Sequence, residues 1–151
     1  MTPRHIGLRS VAGTWLRQCS IRAGSALRRF GGLDLTPKQP IFVVGCGRSG
    51  TTFLTGILNS HPRIADWSEA NDLWDPTWYR GGTEPRERPP LELDPEAFTR
   101  DWWEKNKLRI PEISAAFAIY QRARGRDWFL NKSADHTFRI SHLRSCFPEA
   151  Y

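Results

Sequence analysis

The sequence has few cysteines and no long apolar run, and both shortages exclude classes of protein. Its three cysteines cannot all pair and show no Cys-x-x-Cys spacing, which argues against a disulfide framework and a zinc site. No apolar run approaches the roughly 18–20 residues that a membrane-spanning helix needs. The aromatic content of 12% is too high for a disordered chain. The 151 residues therefore predict one folded domain, or part of one, that does not cross a bilayer.

Acidic residues are missing from the first 33 positions, which contain six arginines. Residues 34–151 contain the other 16 basic residues and all 16 acidic residues, so the net charge of +6 belongs entirely to this N-terminal arm. A pI of about 9.7 would suggest a nucleic-acid partner if the charge lay on the folded body. Because that body is neutral, we expect no nucleic-acid partner.

The arm has apolar residues at helical spacing, and Gly13 and Gly24 weaken this helix by about 1 kcal/mol each. We divide the chain into a basic amphipathic arm and linker, residues 1–39, and a domain, residues 40–151. The favoured interpretation is a helix packed on its own domain. Two alternatives stay open, a peripheral contact with an anionic membrane and an arginine-rich organelle presequence.

The domain opens with a strand, a loop and a helix. The apolar run at residues 41–44 is typical of a strand that is buried on both faces of a parallel sheet. A glycine-bearing loop follows at residues 45–50, and residues 51–60 predict a helix that ends at His61-Pro62. We expect the apolar residues of this helix to face inward, namely Phe53, Leu54, Ile57 and Leu58. This order predicts the start of a βαβ unit.

The rest of the chain continues the alternation of helix and strand. Residues 62–94 look irregular, with many prolines, glycines and charges. The later predicted elements are a helix from Asp94-Pro95 through Trp102-Trp103, a helix from about Pro111 to Gly125, a strand at residues 128–130 closed by residues 131–133, and a helix at residues 137–146 ended by Pro148. The chain stops at Tyr151, where the alternation requires another strand.

The loop has the sequence GCGRSGTT, residues 45–52, between the first strand and the first helix of the domain. Backbone N–H groups at a helix N-terminus bind phosphate, and glycines let the backbone approach an anion closely. Arg48 adds a positive charge, and Ser49, Thr51 and Thr52 add hydroxyl groups. The nucleotide-triphosphate loop GxxxxGK[ST] requires Lys where Thr51 stands, which argues against an ATPase or kinase. A donor with a 5′ phosphate and no metal requirement fits better.

The motif resembles the 5′-phosphosulfate loop of sulfotransferases that use PAPS (3′-phosphoadenosine 5′-phosphosulfate). The similarity extends through four further blocks in the order found in the family, namely LNSHP at residues 58–62, Glu69, NKS at residues 131–133 and FPEA at residues 147–150. The resemblance implies an α/β fold, a P-loop-like three-layer parallel sheet with flanking helices. It identifies residues 40–151 as the N-terminal part of a sulfotransferase domain.

The same resemblance implies roles for individual residues. Arg48, Ser49, Gly50, Thr51 and Thr52 would hold the 5′ phosphate and the sulfonate of PAPS, with 3′,5′-ADP as the product and no metal. Lys132, at a strand end, would neutralise charge on the transferring group. Ligands bind at such strand ends in open α/β sheets.

The resemblance also implies a catalytic base. Cytosolic members have a His two residues after the lysine, but this chain has Ala134 there. Tyrosylprotein-directed and many carbohydrate-directed members have a Glu after the His-Pro step, which here is Glu69. A carboxylate in a partly desolvated pocket suits a general base. Asp135 and His136 are weaker candidates, and His61 is expected to cap or pack at a helix end.

The expected reaction is sulfonate transfer from PAPS to a hydroxyl or amine of a small molecule, a carbohydrate or a tyrosine. The tryptophans between the loop and the second strand would line the acceptor side or belong to the core. A P-loop-type kinase or ATPase and a non-catalytic interaction module are the alternative classes. Binding of 3′,5′-ADP without Mg²⁺ separates these three classes.

The family's 3′-phosphate-binding segment is expected just beyond Tyr151, so we expect a truncated domain that binds PAPS weakly and turns over poorly. Without a signal anchor, a cytoplasmic location is expected, with a mitochondrial or peripheral membrane location as the alternative.

Overall fold

The computed structural model describes residues 8–29, 35–74, 99–100, 103–104 and 106–151. In chain order its elements are α1 (Leu8–Arg29), β1 (Pro40–Val43), α2 (Thr51–Asn59), β2 (Ile64–Asp66), α3 (Asn71–Trp74), α4 (Ile110–Ala123), β3 (Trp128–Lys132), a 3₁₀ helix (Ala134–Phe138) and α5 (Ile140–Cys146). The predicted Asp94-Pro95 helix start lies outside the described residues, and residues 99–100, 103–104 and 106 are helical.

The three strands form a parallel sheet in the order β1-β3-β2. Val43 pairs with Lys132, and Asp66 pairs with Leu130, so the carboxyl ends of all three strands meet at one edge. The predicted α/β fold with a parallel sheet is confirmed. The chain forms a mixed α/β structure consistent with a P-loop-like fold.

The prediction that residues 62–94 are irregular is wrong, because β2 and α3 lie within this stretch. Ile64 and Ala65 of β2 are both buried. A strand of three residues that is covered on both faces shows no alternation of apolar and polar residues, so periodicity could not reveal it.

The core lies between the sheet and α4. The helix and strand predicted near residues 111–125 and 128–130 are confirmed, although β3 extends to Lys132. Phe117 and Phe129 are fully buried with ring centroids 4.4 Å apart. Trp67 and Trp74 also lie in this core, at 1% and 2% exposure. These two tryptophans therefore stabilise the fold and leave the acceptor side without their rings.

The N-terminal helix packs on α4, as the favoured interpretation of the arm predicts. The Ser25 hydroxyl donates a hydrogen bond to the Glu112 carboxylate. The guanidinium of Arg17 lies 5.8 Å from the Trp67 ring centroid and donates to the Asp66 carbonyl oxygen at 3.4 Å. One arginine of the basic arm therefore supports the end of β2. The boundary between arm and domain at residue 39 stays a prediction.

Two glycines of α1 provide a matched test of this packing. A Cβ at Gly24 would lie 2.8 Å from the Glu112 carbonyl oxygen and 3.1 Å from the Ala116 nitrogen, whereas a Cβ at Gly13 has nothing within 4 Å. We expect Gly13→Ala to stabilise the fold by about 0.5–1 kcal/mol through helix propensity. We expect Gly24→Ala to destabilise it by about 1–3 kcal/mol through overpacking. Urea denaturation measures both free energies, and equal stabilisation by both variants would show that α1 does not pack there.

The prediction that the apolar residues of α2 face inward is wrong for three of the four. Phe53, Leu54 and Ile57 are exposed by 76%, 46% and 53%, and Leu58 alone is partly buried, against the cluster of Val43, Ile64 and Leu130. The reason is that the opposite, polar side of α2 faces the sheet edge, as described below.

The predicted helix at residues 137–146 is two elements. The 3₁₀ helix ends at Phe138, Arg139 interrupts the backbone with φ −122°, and α5 begins at Ile140. Leu143 and Phe147 are buried, whereas Phe138 and Ile140 are exposed.

The last residue of the chain pairs with β1. The Phe42 N–H donates to the Tyr151 carbonyl at 3.0 Å, and the Tyr151 N–H donates to the Pro40 carbonyl at 2.9 Å. This is the hydrogen-bond pattern of a parallel neighbour, on the edge of β1 away from β3. Among the described residues, no helix combines the length and apolar character that crossing a membrane requires.

Candidate functional site

A cavity of about 290 Å³ lies between α2 and the carboxyl ends of β2 and β3. The residues of α2 that line it recur at the spacing of one helical face, so the polar side of this helix faces the cavity, with Thr55 buried and Thr52 and Asn59 exposed. The lining consists of Thr52, Thr55, Gly56, Asn59, Asp66, Ser68, Glu69 and Lys132. Among the described lining residues, hydroxyl, amide and carboxylate groups therefore surround one ammonium group, that of Lys132.

The cavity contains an ion pair between Lys132 and Glu69, whose charged atoms are in direct contact. The Lys132 side chain is only 7% exposed, while that of Glu69 is 61% exposed. A buried ammonium group requires a partner, because an unpaired charge in the interior is costly. Glu69 provides that partner and still presents its carboxylate to solvent and to a ligand.

Backbone pairing fixes both members of the ion pair. The Trp67 N–H donates to the Leu130 carbonyl at 2.8 Å, and the Glu69 N–H donates to the Lys132 carbonyl at 2.7 Å. Glu69 has φ +51°, a left-handed conformation that costs a non-glycine residue of order 1–3 kcal/mol. The paired backbone holds Glu69 in that conformation beside β3.

A buried asparagine reinforces this arrangement. Asn131 is fully buried, and its amide nitrogen donates to the Trp67 carbonyl at 2.6 Å. Its Oδ1 accepts from the Trp74 indole at 3.3 Å and from His136 Nε2 at 2.9 Å. Since Asn131 precedes Lys132, this network orients the end of β3 that positions the lysine.

The glycine loop, residues 45–50, lies at the N-terminus of α2. Arg48 and Gly50 are left-handed, with φ +66° and +89°. Gly45 has φ +156°, and a Cβ there would lie 2.8 Å from Thr51 Cγ2. The Gly45 N–H donates to Thr137 Oγ1 at 2.9 Å, which ties the loop to the 3₁₀ helix.

The start of α2 has no capping side chain, since Gly50 makes no side-chain hydrogen bond to it. The first N–H groups of a helix have no partner within the helix and carry partial positive charge. Arg48 and Ser49 are exposed beside them. This end of α2 can therefore bind an anion.

The structure brings some of the predicted site residues together and places others elsewhere. Thr52, Glu69 and Lys132 line the same cavity. Arg48, Ser49, Gly50 and Thr51 do not line it; they form the loop and the first position of α2, where all but the half-buried Thr51 are exposed.

The weaker candidates lie outside the cavity. His136 is fully buried, and its burial, together with the positive charge of Arg139, lowers its pKa to about 3. Its ring contacts Phe42 and Trp74 edge-on, so it belongs to the core. Asp135 lies 4.0 Å from the Arg139 guanidinium, and the exposed His61 accepts a hydrogen bond from the Arg63 N–H at 3.3 Å.

Comparison with protein families assigns the domain to a family. A family model described as the sulfotransferase family matches residues 40–151, which is most of the chain. The chain belongs to this family. The match includes the glycine loop, Glu69 and Lys132 of the sulfotransferase. Comparison with curated proteins and with solved structures gave no match.

Four polar residues that line the cavity were missed by the sequence analysis. Asp66 ends β2 and Ser68 follows it, and this strand was not predicted. Thr55 and Asn59 lie on the side of α2 that was expected to face solvent. The polar residues at positions 52, 55 and 59 repeat at helical spacing, and this pattern could have identified them.

Within the part of the chain that the structure describes, no group of three or more His, Cys, Asp and Glu side chains could hold a metal ion.

Proposed function

We propose that this site transfers a sulfonate group from PAPS to a hydroxyl or amine acceptor. The observation that carries the proposal is the buried Lys132, paired with Glu69 in a cavity that Thr52 of α2 also lines. A cation and a carboxylate in contact provide a charge for the transferring group and a base for the acceptor within one cavity.

The glycine loop and the start of α2 have the chemistry that the donor requires. PAPS supplies the sulfonate group and leaves as 3′,5′-ADP. The N–H groups of Gly50, Thr51 and Thr52, with the Arg48 guanidinium and the Ser49 hydroxyl, would hold the 5′ phosphate and the sulfonate. The uncapped helix end and the exposed loop support this assignment, because both leave donors available to an anion.

The transfer requires little covalent work from the protein. Glu69 accepts the proton of the acceptor hydroxyl or amine as that oxygen or nitrogen forms its bond to sulfur. The bond between sulfur and the phosphate oxygen breaks, and its electron pair stays on the phosphate. Lys132 stabilises the negative charge that develops on this oxygen and on the sulfonate, as preorganised cations do in phosphoryl transfer.

We further propose a cytoplasmic location for this reaction. The packing of α1 on α4 favours it over a membrane contact of the arm, because the helix contacts the domain through Leu16 and Ile21. A mitochondrial location and a peripheral membrane contact are the alternatives.

Cys46 gives a direct test of donor binding, because it is exposed within the glycine loop while Cys19 and Cys146 are partly buried. Burial also raises the pKa of the Cys146 thiol, which slows its alkylation. We expect 3′,5′-ADP, at about ten times its Kd and without Mg²⁺, to slow iodoacetamide alkylation of Cys46 about tenfold. Peptide mass spectrometry measures the three cysteines separately.

The internal control is the alkylation of Cys19, which we expect to stay unchanged. Arg48→Ala should weaken the protection of Cys46, since it removes the positive charge of the loop. Unchanged alkylation of Cys46 at millimolar 3′,5′-ADP would contradict donor binding. Protection that requires Mg²⁺ and a nucleoside triphosphate would instead favour the kinase or ATPase class.

A further inference from the structure

The wall of the cavity beside the ion pair is hydrophilic. Asn59, Asp66 and Ser68 line it, and none of the lining residues that the structure describes is aromatic. Trp67 and Trp74 are in the core, so their rings do not form a surface for a phenol. The groups that a bound acceptor meets in this lining are amide, hydroxyl and carboxylate groups.

Asp66 is a second carboxylate in this wall, and the ion pair of Lys132 and Glu69 does not balance its negative charge. Among the lining residues that the structure describes there are two carboxylates and one ammonium group, and Glu69 already contacts that ammonium group. The Ser68 hydroxyl donates to Oδ1 of Asp66, which is a neutral contact. The described lining residues therefore have a formal charge of −1, and the unbalanced carboxylate of Asp66 favours a cationic group on the acceptor.

Hydrogen bonds to its backbone hold Asp66 in position. Its carbonyl oxygen accepts the Tyr120 hydroxyl at 2.9 Å and the Arg17 guanidinium at 3.4 Å. Both bonds go to the backbone, so a change of the Asp66 side chain leaves them in place. Asp66 also ends β2, whose pairing with β3 holds it at the same sheet edge as Lys132.

We propose that the acceptor is a small polyhydroxylated amine of about one sugar ring, whose ammonium group Asp66 binds. This inference rests on the proposed function, since it names the acceptor of the same transfer. A cavity of about 290 Å³ is at the small end of ligand pockets, which suits a single ring better than a polypeptide. Asn59 and Ser68 provide hydrogen-bond partners for the hydroxyl groups.

Three sugars with one ring framework and different charge test the inference. We expect glucosamine to bind on the order of fivefold more tightly than glucose, as a partly exposed ion pair allows, and glucuronate to bind most weakly. Titration of the ¹⁵N-labelled chain measures each Kd without requiring turnover. The amide signals of Asn59, Ser68 and Glu69 should shift.

The variant Asp66→Asn removes the charge and keeps the size and the acceptor of the Ser68 hydroxyl. We expect it to bind glucosamine and glucose with equal affinity within about twofold, since the ion pair is lost. Glu149→Gln removes an exposed carboxylate elsewhere and should keep the preference of the wild type. A role of Asp66 in folding alone would change all three affinities together.

Equal affinity of the wild type for the three sugars, or tighter binding of 4-nitrophenol than of glucosamine, would overturn the inference. The Cys46 experiment separates its failure from that of the proposed function. Protection of Cys46 by 3′,5′-ADP without any sugar binding overturns the inference and supports sulfonate transfer. A glucosamine preference without protection of Cys46 overturns sulfonate transfer and supports recognition of the ammonium group by Asp66.

Discussion

Replacement of Lys132 by alanine should slow sulfonate transfer by about 10²–10³, the usual loss when one preorganised electrostatic donor is removed. The expected loss is large because the ammonium group is only 7% exposed, so water cannot easily replace it. Transfer of radiolabelled sulfonate under single-turnover conditions, with enzyme in excess, measures this rate even when turnover is slow. A Lys132→Ala rate within twofold of the wild type would refute the role of this lysine.

Two further variants make this result specific. Lys107→Ala removes an exposed lysine that also pairs with a carboxylate, Glu104, and should leave the rate unchanged. Glu69→Gln should slow transfer by about 10²–10⁴ and flatten the pH dependence of the rate if Glu69 is the base. Lys132→Ala should leave the fold intact, because Glu69 is 61% exposed and regains water when its partner is removed.

The loop and the lysine could be predicted from the sequence because each lies in a local pattern. The apolar run before Gly45 and the glycines of the loop indicate a strand, a phosphate-binding turn and a helix N-terminus within a few residues. Lys132 comes shortly after another apolar segment, Trp128-Phe129-Leu130, which indicates a strand. Because ligands bind at the carboxyl ends of strands in open α/β sheets, Lys132 could be assigned to the site.

The orientation of α2 could not be predicted in this way. Periodicity shows that Phe53, Leu54 and Ile57 share one side of the helix, but it does not show which side faces the sheet. The usual assumption that the apolar side faces inward fails here, because Thr52, Thr55 and Asn59 line the cavity. The polar residues of α2 therefore face the cavity, and three of its four apolar residues stay exposed.

The contact between Glu69 and Lys132 spans 63 positions, and nothing local indicates it. The family resemblance named both residues, but their contact depends on β2, which is too short to be seen in the sequence. Asp66 was missed for the same reason. The pairing of β2 with β3 therefore contributes most of what the structure adds to the site.

His136 differs from these residues, because the sequence made it a candidate for the catalytic base and the fold places it in the core. It is four positions from Lys132 and was a weaker candidate for the catalytic base. The 3₁₀ helix instead directs its ring into the core, where Nε2 donates to Asn131 Oδ1 at 2.9 Å. Within the described residues, no hydrogen-bond partner lies near its buried Nδ1. The folded chain therefore favours the neutral form of the His136 ring.

This burial predicts a loss of stability in acid. The pKa of His136 is about 3 in the folded chain and 6.5 in the unfolded chain, so between these values the unfolded chain binds a proton that the folded chain excludes. The free energy of unfolding must then fall as the pH falls from 6.5 towards 3. The expected loss is roughly 3 kcal/mol between pH 7 and pH 4. Urea denaturation at a series of pH values measures it.

The variant His136→Phe isolates this effect because phenylalanine keeps a ring beside Phe42 and Trp74 but cannot bind a proton. At pH 7 the variant should be about 1–2 kcal/mol less stable than the wild type, since Asn131 loses one hydrogen bond. At pH 4 the order should reverse, because only the wild type loses stability through this histidine. The two stability curves should therefore cross between these pH values.

The exposed His61 provides the matched control, since His61→Gln removes an exposed histidine instead of a buried one. Its acid slope should equal that of the wild type. Burial also lowers the pKa of His142, but this group is retained in all three proteins and cancels in the comparison. An unchanged acid slope in His136→Phe would show that other groups govern acid unfolding. Because His136 holds Asn131, and Asn131 precedes Lys132, acid that protonates this ring should also loosen the strand end that positions the ion pair of Lys132 and Glu69.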